Sequence, residues 1–305
     1  MQNYQFNGIG FQDVSKIVQQ RYFERTFVEK SPVLSYQTHR KKPVSWSWKQ
    51  FGHGKQVMLA FHGFNRGPDD FEPFSRHLGE NYTVLAFDLF FHGKSYVEAD
   101  APFQPLTLPV LKSLLDPILE QYGVQEFEIM AYSFGGRLAL NCVEIYQERI
   151  KGLYLLAPDG IRFNPGFYAA VQTAPGRALL KRCTHEVKAI LKIMKLLGML
   201  RIYNPKAIEF YMNHLVVDSM RLKVYHSWMY HRLTVPDLNR VVKIIRKEKI
   251  RMLLFFGKYD LIIPPKLGER FAKRAGLPDA LHILETGHRL QERSREICEI
   301  ILRGK

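Results

Sequence analysis

Ser133, Asp260 and His288 follow one another along the chain in settings that suit acyl transfer. A serine hydroxyl is a weak nucleophile until an imidazole takes its proton. The imidazolium so formed needs a carboxylate to hold its tautomer and balance its charge. Ser133 lies in Ala131-Tyr132-Ser133-Phe134-Gly135, between an apolar run and a helix-prone segment. Small residues two before and two after a serine let a strand turn sharply into a helix and present the hydroxyl. Glycine commonly fills both places; Ala131 departs from that pattern by one methyl group.

The two partners stand just past other apolar runs. Asp260 follows Met252–Gly257 in Lys258-Tyr259-Asp260-Leu261-Ile262-Ile263-Pro264, and His288 follows Leu281–Leu284 in Glu285-Thr286-Gly287-His288. A second carboxylate, Asp159, also sits past a strand-like run and competes with Asp260 for the role of acid; the strand, loop and proline around Asp260 favour it. An oxyanion site needs backbone N–H groups aimed at the developing charge. After Val57–Phe61 come His62-Gly63-Phe64-Asn65, where glycine allows the turn, and the candidate donors are the N–H groups of Phe64 and Phe134.

These residues must be positioned by a sheet. Residues 57–61, 84–87, 127–130, 153–156 and 252–256 are short, nearly continuous apolar runs, the pattern of strands covered on both faces. Helix-length segments separate the early ones (69–78, 108–122, 136–146), and such alternation predicts a parallel sheet with right-handed crossovers. Before them, Pro32–Thr38 and Val44–Phe51 read as an antiparallel pair joined by a basic turn at residues 39–42, with Gly52-His53-Gly54-Lys55 closing the hairpin. Residues 11–18 carry the spacing of a short helix. The strand rhythm stops after Gly160 and returns at Met252, which predicts a core of residues 1–160 and 249–305 and a helical cap of residues 161–248 over the sheet's carboxyl edge.

Composition narrows the classes. The chain has 305 residues, 46% of them hydrophobic, and no run near the ~18 apolar residues that would span a bilayer. Three scattered cysteines suit neither a disulfide framework nor a metal site, and no basic-then-apolar leader opens the sequence; together these predict a cytoplasmic protein. No glycine-rich phosphate cradle or paired metal-ligand cluster is visible, so neither cofactor nor metal is expected. The net charge of +15 is concentrated: residues 161–250 hold 17 Lys and Arg against 5 Asp and Glu. No zinc-finger or aromatic RNA-binding signature accompanies it, which argues against nucleic acid. The oligomeric state has no sequence signal.

Taken together, His62-Gly63, Asp88 with His92-Gly93-Lys94-Ser95, Ala131–Gly135, Asp260 and His288 resemble the ordered motifs of the α/β-hydrolase superfamily, over about residues 33–160 and 250–300. The resemblance implies an α/β fold with a mostly parallel, eight-stranded sheet and a helical cap, a Ser133–His288–Asp260 triad and a small-molecule substrate, apolar or anionic. It does not specify which, because this fold hosts many activities. Phe91 stands where related enzymes carry glycine, a change expected to reshape a loop, and His92 is read as structural. A serine at the elbow points to esters, thioesters, amides or carbon–carbon bonds beside a carbonyl, and a carboxylic ester or thioester leads.

Ser133-Phe134-Gly135-Gly136-Arg137 also resembles the elbow of the menaquinone-pathway lyase that makes 2-succinyl-6-hydroxy-2,4-cyclohexadiene-1-carboxylate. That likeness implies a substrate carboxylate on Arg137; the bland reading pairs Arg137 with a neighbouring acid. In the cap, Leu180, Cys183, Val187, Ile190, Leu191, Met194 and Leu197 share one helical face, and Lys181, Lys188, Lys192 and Lys195 another. Two readings stand for these lysines: a solvated outer face, or peripheral contact with an anionic membrane, with the protein as a non-catalytic membrane-associating member of the fold at the extreme. Phe210, Tyr211, Tyr225, Trp228 and Tyr230 are expected to line the cap core or an acyl pocket.

Overall fold

The structure, a computed structural model, describes residues 37–41, 44–97, 104–162, 165–186 and 217–303, with isolated positions between 188 and 196. Nine strands form one sheet: β1 (Gln37–Lys41), β2 (Val44–Phe51), β3 (Gln56–Phe61), β4 (Tyr82–Phe87), β5 (Tyr96–Val97), β6 (Phe127–Tyr132), β7 (Ile150–Leu156), β8 (Arg251–Gly257) and β9 (Leu281–Leu284). Eight of them run side by side in the order β1-β2-β4-β3-β6-β7-β8-β9, and two-residue β5 adds to β2. The pairs β1–β2 and β2–β4 are antiparallel, and every pair from β4 to β9 is parallel.

The apolar runs explain this arrangement. Every residue of β4 and β6 is buried, as strands covered on both faces require. The covering helices among the described residues are α1 (Glu72–Leu78), α2 (Leu108–Gln121), α3 (Gly135–Tyr146), α4 (Pro165–Gln172), α5 (Ala174–Cys183), α6 (Asp218–Tyr230), α7 (Leu238–Lys247), α8 (Pro265–Ala275) and α9 (Ser294–Arg303). On the antiparallel side, fully buried Trp46 packs its ring 4.7 Å from Phe87 and 5.3 Å from Phe90, and its indole N–H donates to the Asp88 carbonyl at 2.8 Å.

Three expectations change. The basic segment at residues 39–42 is not all turn, since β1 runs to Lys41 in register with β2. Gly52–Lys55 closes no hairpin: β2 pairs with β1, β4 and β5, and the loop carries the chain past β4 to β3. The chain crosses so tightly there that a Cβ on Gly54 would fall 2.0 Å from the Asn81 carbonyl carbon. Helix α7 falls within the span assigned to the cap, yet its buried Val241 and Ile245 join the core cluster and it packs on α3 and α8, as a crossover helix before β8. The helix expected at residues 11–18 and the start of the first strand lie outside the described residues.

From β3 the chain passes first to β4 on one side and then to β6 on the other. The direction of winding therefore reverses between β3 and β6, and open α/β sheets present a crevice beyond the carboxyl ends of strands at such a point.

Candidate active site

Ser133 stands directly after β6, at that reversal. Its φ of 49° lies in the left-handed region, a conformation that costs a non-glycine residue roughly 1–2 kcal/mol. Three hydrogen bonds hold the turn: the Ser133 N–H donates to the Leu156 carbonyl at 2.9 Å, and its own carbonyl accepts from Gly136 N at 2.9 Å and Asp159 N at 2.7 Å. Close backbone contact explains the small neighbours. A Cβ on Gly135 would meet the Phe61 carbonyl oxygen at 2.2 Å, while Ala131, wholly buried in β6, fits between Phe61 and Leu155.

His288 approaches from the loop after β9. Its Nε2 lies 3.1 Å from Ser133 Oγ, and its Nδ1 lies 2.7 Å from Asp260 Oδ2. The carboxylate can only accept, so Nδ1 carries the ring proton and Nε2 is the acceptor facing the serine. Asp260 Oδ1 is held separately, by the N–H groups of Ile262 at 2.8 Å and Ile263 at 2.9 Å. The two loops are tied together by Tyr259 N, which donates to the Thr286 carbonyl, and the Tyr132 hydroxyl at the end of β6 donates to the His288 carbonyl at 3.1 Å. The Asp260 side chain is wholly buried and that of His288 is 17% exposed, so a substrate can reach the imidazole but water has no access to the carboxylate.

The loop after β3 faces the same serine. A Cβ on Gly63 would lie 3.2 Å from that of Ser133, so only glycine brings this backbone so near. Two buried histidines fix the loop. His62 accepts from Leu89 N at 3.0 Å through Nε2 and donates through Nδ1 to the Gly63 carbonyl at 2.7 Å. His92 accepts from Asn65 N at 2.9 Å through Nε2 and donates through Nδ1 to the Phe90 carbonyl at 3.0 Å. Each ring thus uses one donor and one acceptor, the pattern of a neutral imidazole. Burial enforces it, pushing His62 down to about 4 and His92 well below its ordinary value. Asn65, with φ 57°, also accepts from Lys223 of α6 at 2.9 Å, which links the loop to the inserted helices.

Comparison with known proteins agrees with this architecture. Residues 56–180 match the family described as alpha/beta hydrolase fold. The chain is 24% identical over 248 residues to the uncharacterized hydrolase YugF of Bacillus subtilis (strain 168), spanning 80% of this chain and 87% of that protein. Among solved structures, a thermophilic esterase from Thermogutta terrifontis superposes with a TM-score of 0.61 at 17% identity, over 88% of this chain and 97% of the other. A hydrolase from Pseudomonas aeruginosa PA01 gives 0.58 at 19% identity, over 90% and 98%. The chain has the α/β-hydrolase fold. Its cap insertion enters between β7 and β8.

Within this hydrolase fold the other carboxylate is engaged elsewhere. Asp159 Oδ2 accepts from Arg137 Nε at 2.6 Å, and its Oδ1 from Gly160 N at 2.8 Å. Arg137, 5% exposed, lays its guanidinium 3.8 Å from the centre of the Phe167 ring of α4. Asp260, not Asp159, therefore meets His288, and Arg137 is already paired. Phe91 keeps the backbone that glycine would adopt, with φ 66°, and its ring stacks on His226 of α6 at 5.3 Å and meets Tyr230 at 5.6 Å.

Of the cap aromatics, Tyr230 is buried against Phe90 at 4.9 Å and Trp228 meets Phe167 at 5.3 Å, whereas Phe210 and Tyr211 lie outside the described residues. Lys181, Lys188, Lys192 and Lys195 are exposed. No described helix is long and apolar enough to cross a membrane, and no described group of His, Cys, Asp and Glu could hold a metal ion. The role of His62 as a loop support is not evident from the sequence, although the His62-Gly63 pair carries a signal for it.

Proposed function

We propose that the protein is a serine hydrolase of carboxylic esters or thioesters, with Ser133 as nucleophile, His288 as general base and acid, and Asp260 as the group that orients His288. The observation that carries the reading is the continuous hydrogen-bonded line from Ser133 Oγ through both nitrogens of His288 to Asp260. As Oγ attacks the substrate carbonyl, His288 Nε2 takes its proton. The carbonyl oxygen becomes an oxyanion and is received by the N–H groups of Phe64 and Phe134. His288 then gives the proton to the departing alcohol or thiol, leaving an acyl group on Ser133. Water, deprotonated by the same nitrogen, releases the acid and restores the serine.

A carbon–carbon lyase would use the same three residues but draws its support from Arg137 as a carboxylate receptor. The Asp159 partner of that guanidinium favours the hydrolase. Labelling with a fluorophosphonate, followed by mass mapping, tests the proposal: modification at Ser133, lost in Ser133→Ala, is expected, together with turnover of p-nitrophenyl esters. Full ester turnover by folded Ser133→Ala would refute it.

A further inference from the structure

Two polar side chains of the cap have no role in the chemistry above. Ser227 and His231 lie four residues apart at the end of α6, one helical turn, and so share a face. Ser227 is 0% and His231 1% exposed. Among the described residues the Ser227 hydroxyl and both ring nitrogens of His231 meet no hydrogen-bond partner. The His231 ring meets that of Phe134, the residue after the nucleophile, edge-on at 5.3 Å, and lies 6.4 Å from Phe90. Phe134 in turn meets Phe64 at 6.3 Å. The His231 ring therefore lies against Phe134, one of the two residues whose N–H groups are assigned to the oxyanion, and Phe134 leads on to the other.

The chemistry of these groups selects a ligand. Burial, reinforced by nearby Arg137, pushes His231 down to about 3, so the ring is neutral and offers one donor and one acceptor. A serine hydroxyl likewise offers both. Polar groups buried without partners are costly, and a ligand that supplies partners is favoured by that difference. A carboxylate can only accept, and Arg137, the cation beside His231, is already held by Asp159. A ketone oxygen can only accept as well. An alcohol both donates and accepts, and it carries no charge.

We propose that Ser227 and His231 form a polar subsite for a hydroxyl group on the acyl chain of the substrate, so that the preferred substrates are esters or thioesters of short hydroxy acids. The assignment rests on the hydrolase reading for its acyl group. A site built to hydrogen-bond a hydroxyl discriminates strongly against the analogue that lacks it.

The test compares kcat/KM for p-nitrophenyl butyrate with that for its 2-hydroxy and 3-hydroxy derivatives. One hydroxy ester is expected to be preferred at least tenfold by the parent protein. His231→Phe, which keeps the ring and removes both nitrogens, should bring the ratio to within threefold of unity. His231→Gln, which retains a donor and an acceptor, should keep the preference, and Ser227→Ala should reduce it. Fluorophosphonate labelling of Ser133 reports that each variant remains folded at the elbow. A parent that shows no hydroxy preference, or a preference unchanged in His231→Phe, would overturn the subsite. If the parent turns over no ester and Ser133 is not labelled, the hydrolase reading has failed, and the subsite is judged by calorimetric binding of methyl 3-hydroxybutyrate against methyl butyrate. Tighter binding of the hydroxylated ester, lost in His231→Phe, supports it; equal binding by the parent overturns it.

Discussion

Asp260→Asn changes one atom and should nearly abolish turnover, for a reason visible in the hydrogen bonds. In the parent, Oδ1 accepts from Ile262 N and Ile263 N while Oδ2 accepts from His288 Nδ1. An asparagine amide has a single oxygen, and two backbone donors at 2.8 and 2.9 Å bind that oxygen in place of Oδ1. The NH₂ group is then left facing His288, which must present Nδ1 as an acceptor and move its proton to Nε2. That nitrogen, 3.1 Å from Ser133 Oγ, becomes a donor and can no longer take the serine proton. The corresponding exchange in the serine protease triad, where the same tautomer error arises, lowers kcat about 10⁴-fold. An equal loss here corresponds to about 5 kcal/mol of transition-state stabilisation. The assay is p-nitrophenyl ester hydrolysis at neutral pH, with circular dichroism to verify the fold. Asp159→Asn, which touches Arg137 and not His288, should stay within about tenfold of the parent, because it leaves the imidazole tautomer alone. A loss under tenfold in Asp260→Asn, or a larger one in Asp159→Asn, would refute the reasoning.

Other perturbations probe the supporting groups. His92→Leu removes the acceptor for Asn65 N and should lower kcat roughly 10–100-fold with little change in KM, less than the loss of an oxyanion donor itself; His92→Gln, whose amide oxygen can accept, should recover much of it, and equal activity in all three proteins would count against the role. Asp88, wholly buried with Oδ1 accepting no hydrogen bond among the described residues and lying 3.9 Å from His62 Nε2, is raised to about 7 by burial, against the opposing Lys94 N–H. The folded protein keeps that proton to about pH 7, whereas the unfolded chain loses it near the ordinary value of 3.8. The folded state therefore binds more protons across this window, and the stability Asp88 confers at low pH is lost as pH rises through it. Asp88→Asn, neutral throughout, should gain in Tm relative to the parent as pH rises across that window; a difference independent of pH would contradict this.

What could be read from the sequence was local. Ser133, Asp260 and His288 were visible because each follows a short apolar strand within a few residues, and a parallel sheet brings all such loops to one edge. The antiparallel β1–β2 pair was legible too, but the role of Gly52–Lys55 was not: β2 and β4 pair across 30 intervening residues, and nothing in either strand names its neighbour. Arg137 and Asp159 were each noticed, but their pairing depends on the crossover from α3 to β7 returning to the elbow. His231 had no signal because its surroundings come from β4's loop, the elbow and the cap at once. The cap's limit was misplaced for a related reason. Helix α7 has the same polar and apolar alternation as a cap helix, and only its packing on α3 assigns it to the sheet layer.

Phe91 gives the loop after β4 a mechanical character. A bulky residue in a left-handed conformation persists only where its surroundings over-determine it, and here those surroundings include His226 and Tyr230 on α6. The adjacent residue is His92, which holds Asn65 in the loop beside Ser133. The phenyl ring thus joins α6 to the loop that carries His92. Lifting α6 would unstack the ring and relax the bend that sets His92. The same helix has a second hold on the loop beside Ser133, since Lys223 donates to Asn65 at 2.9 Å, so α6 braces that backbone at two points.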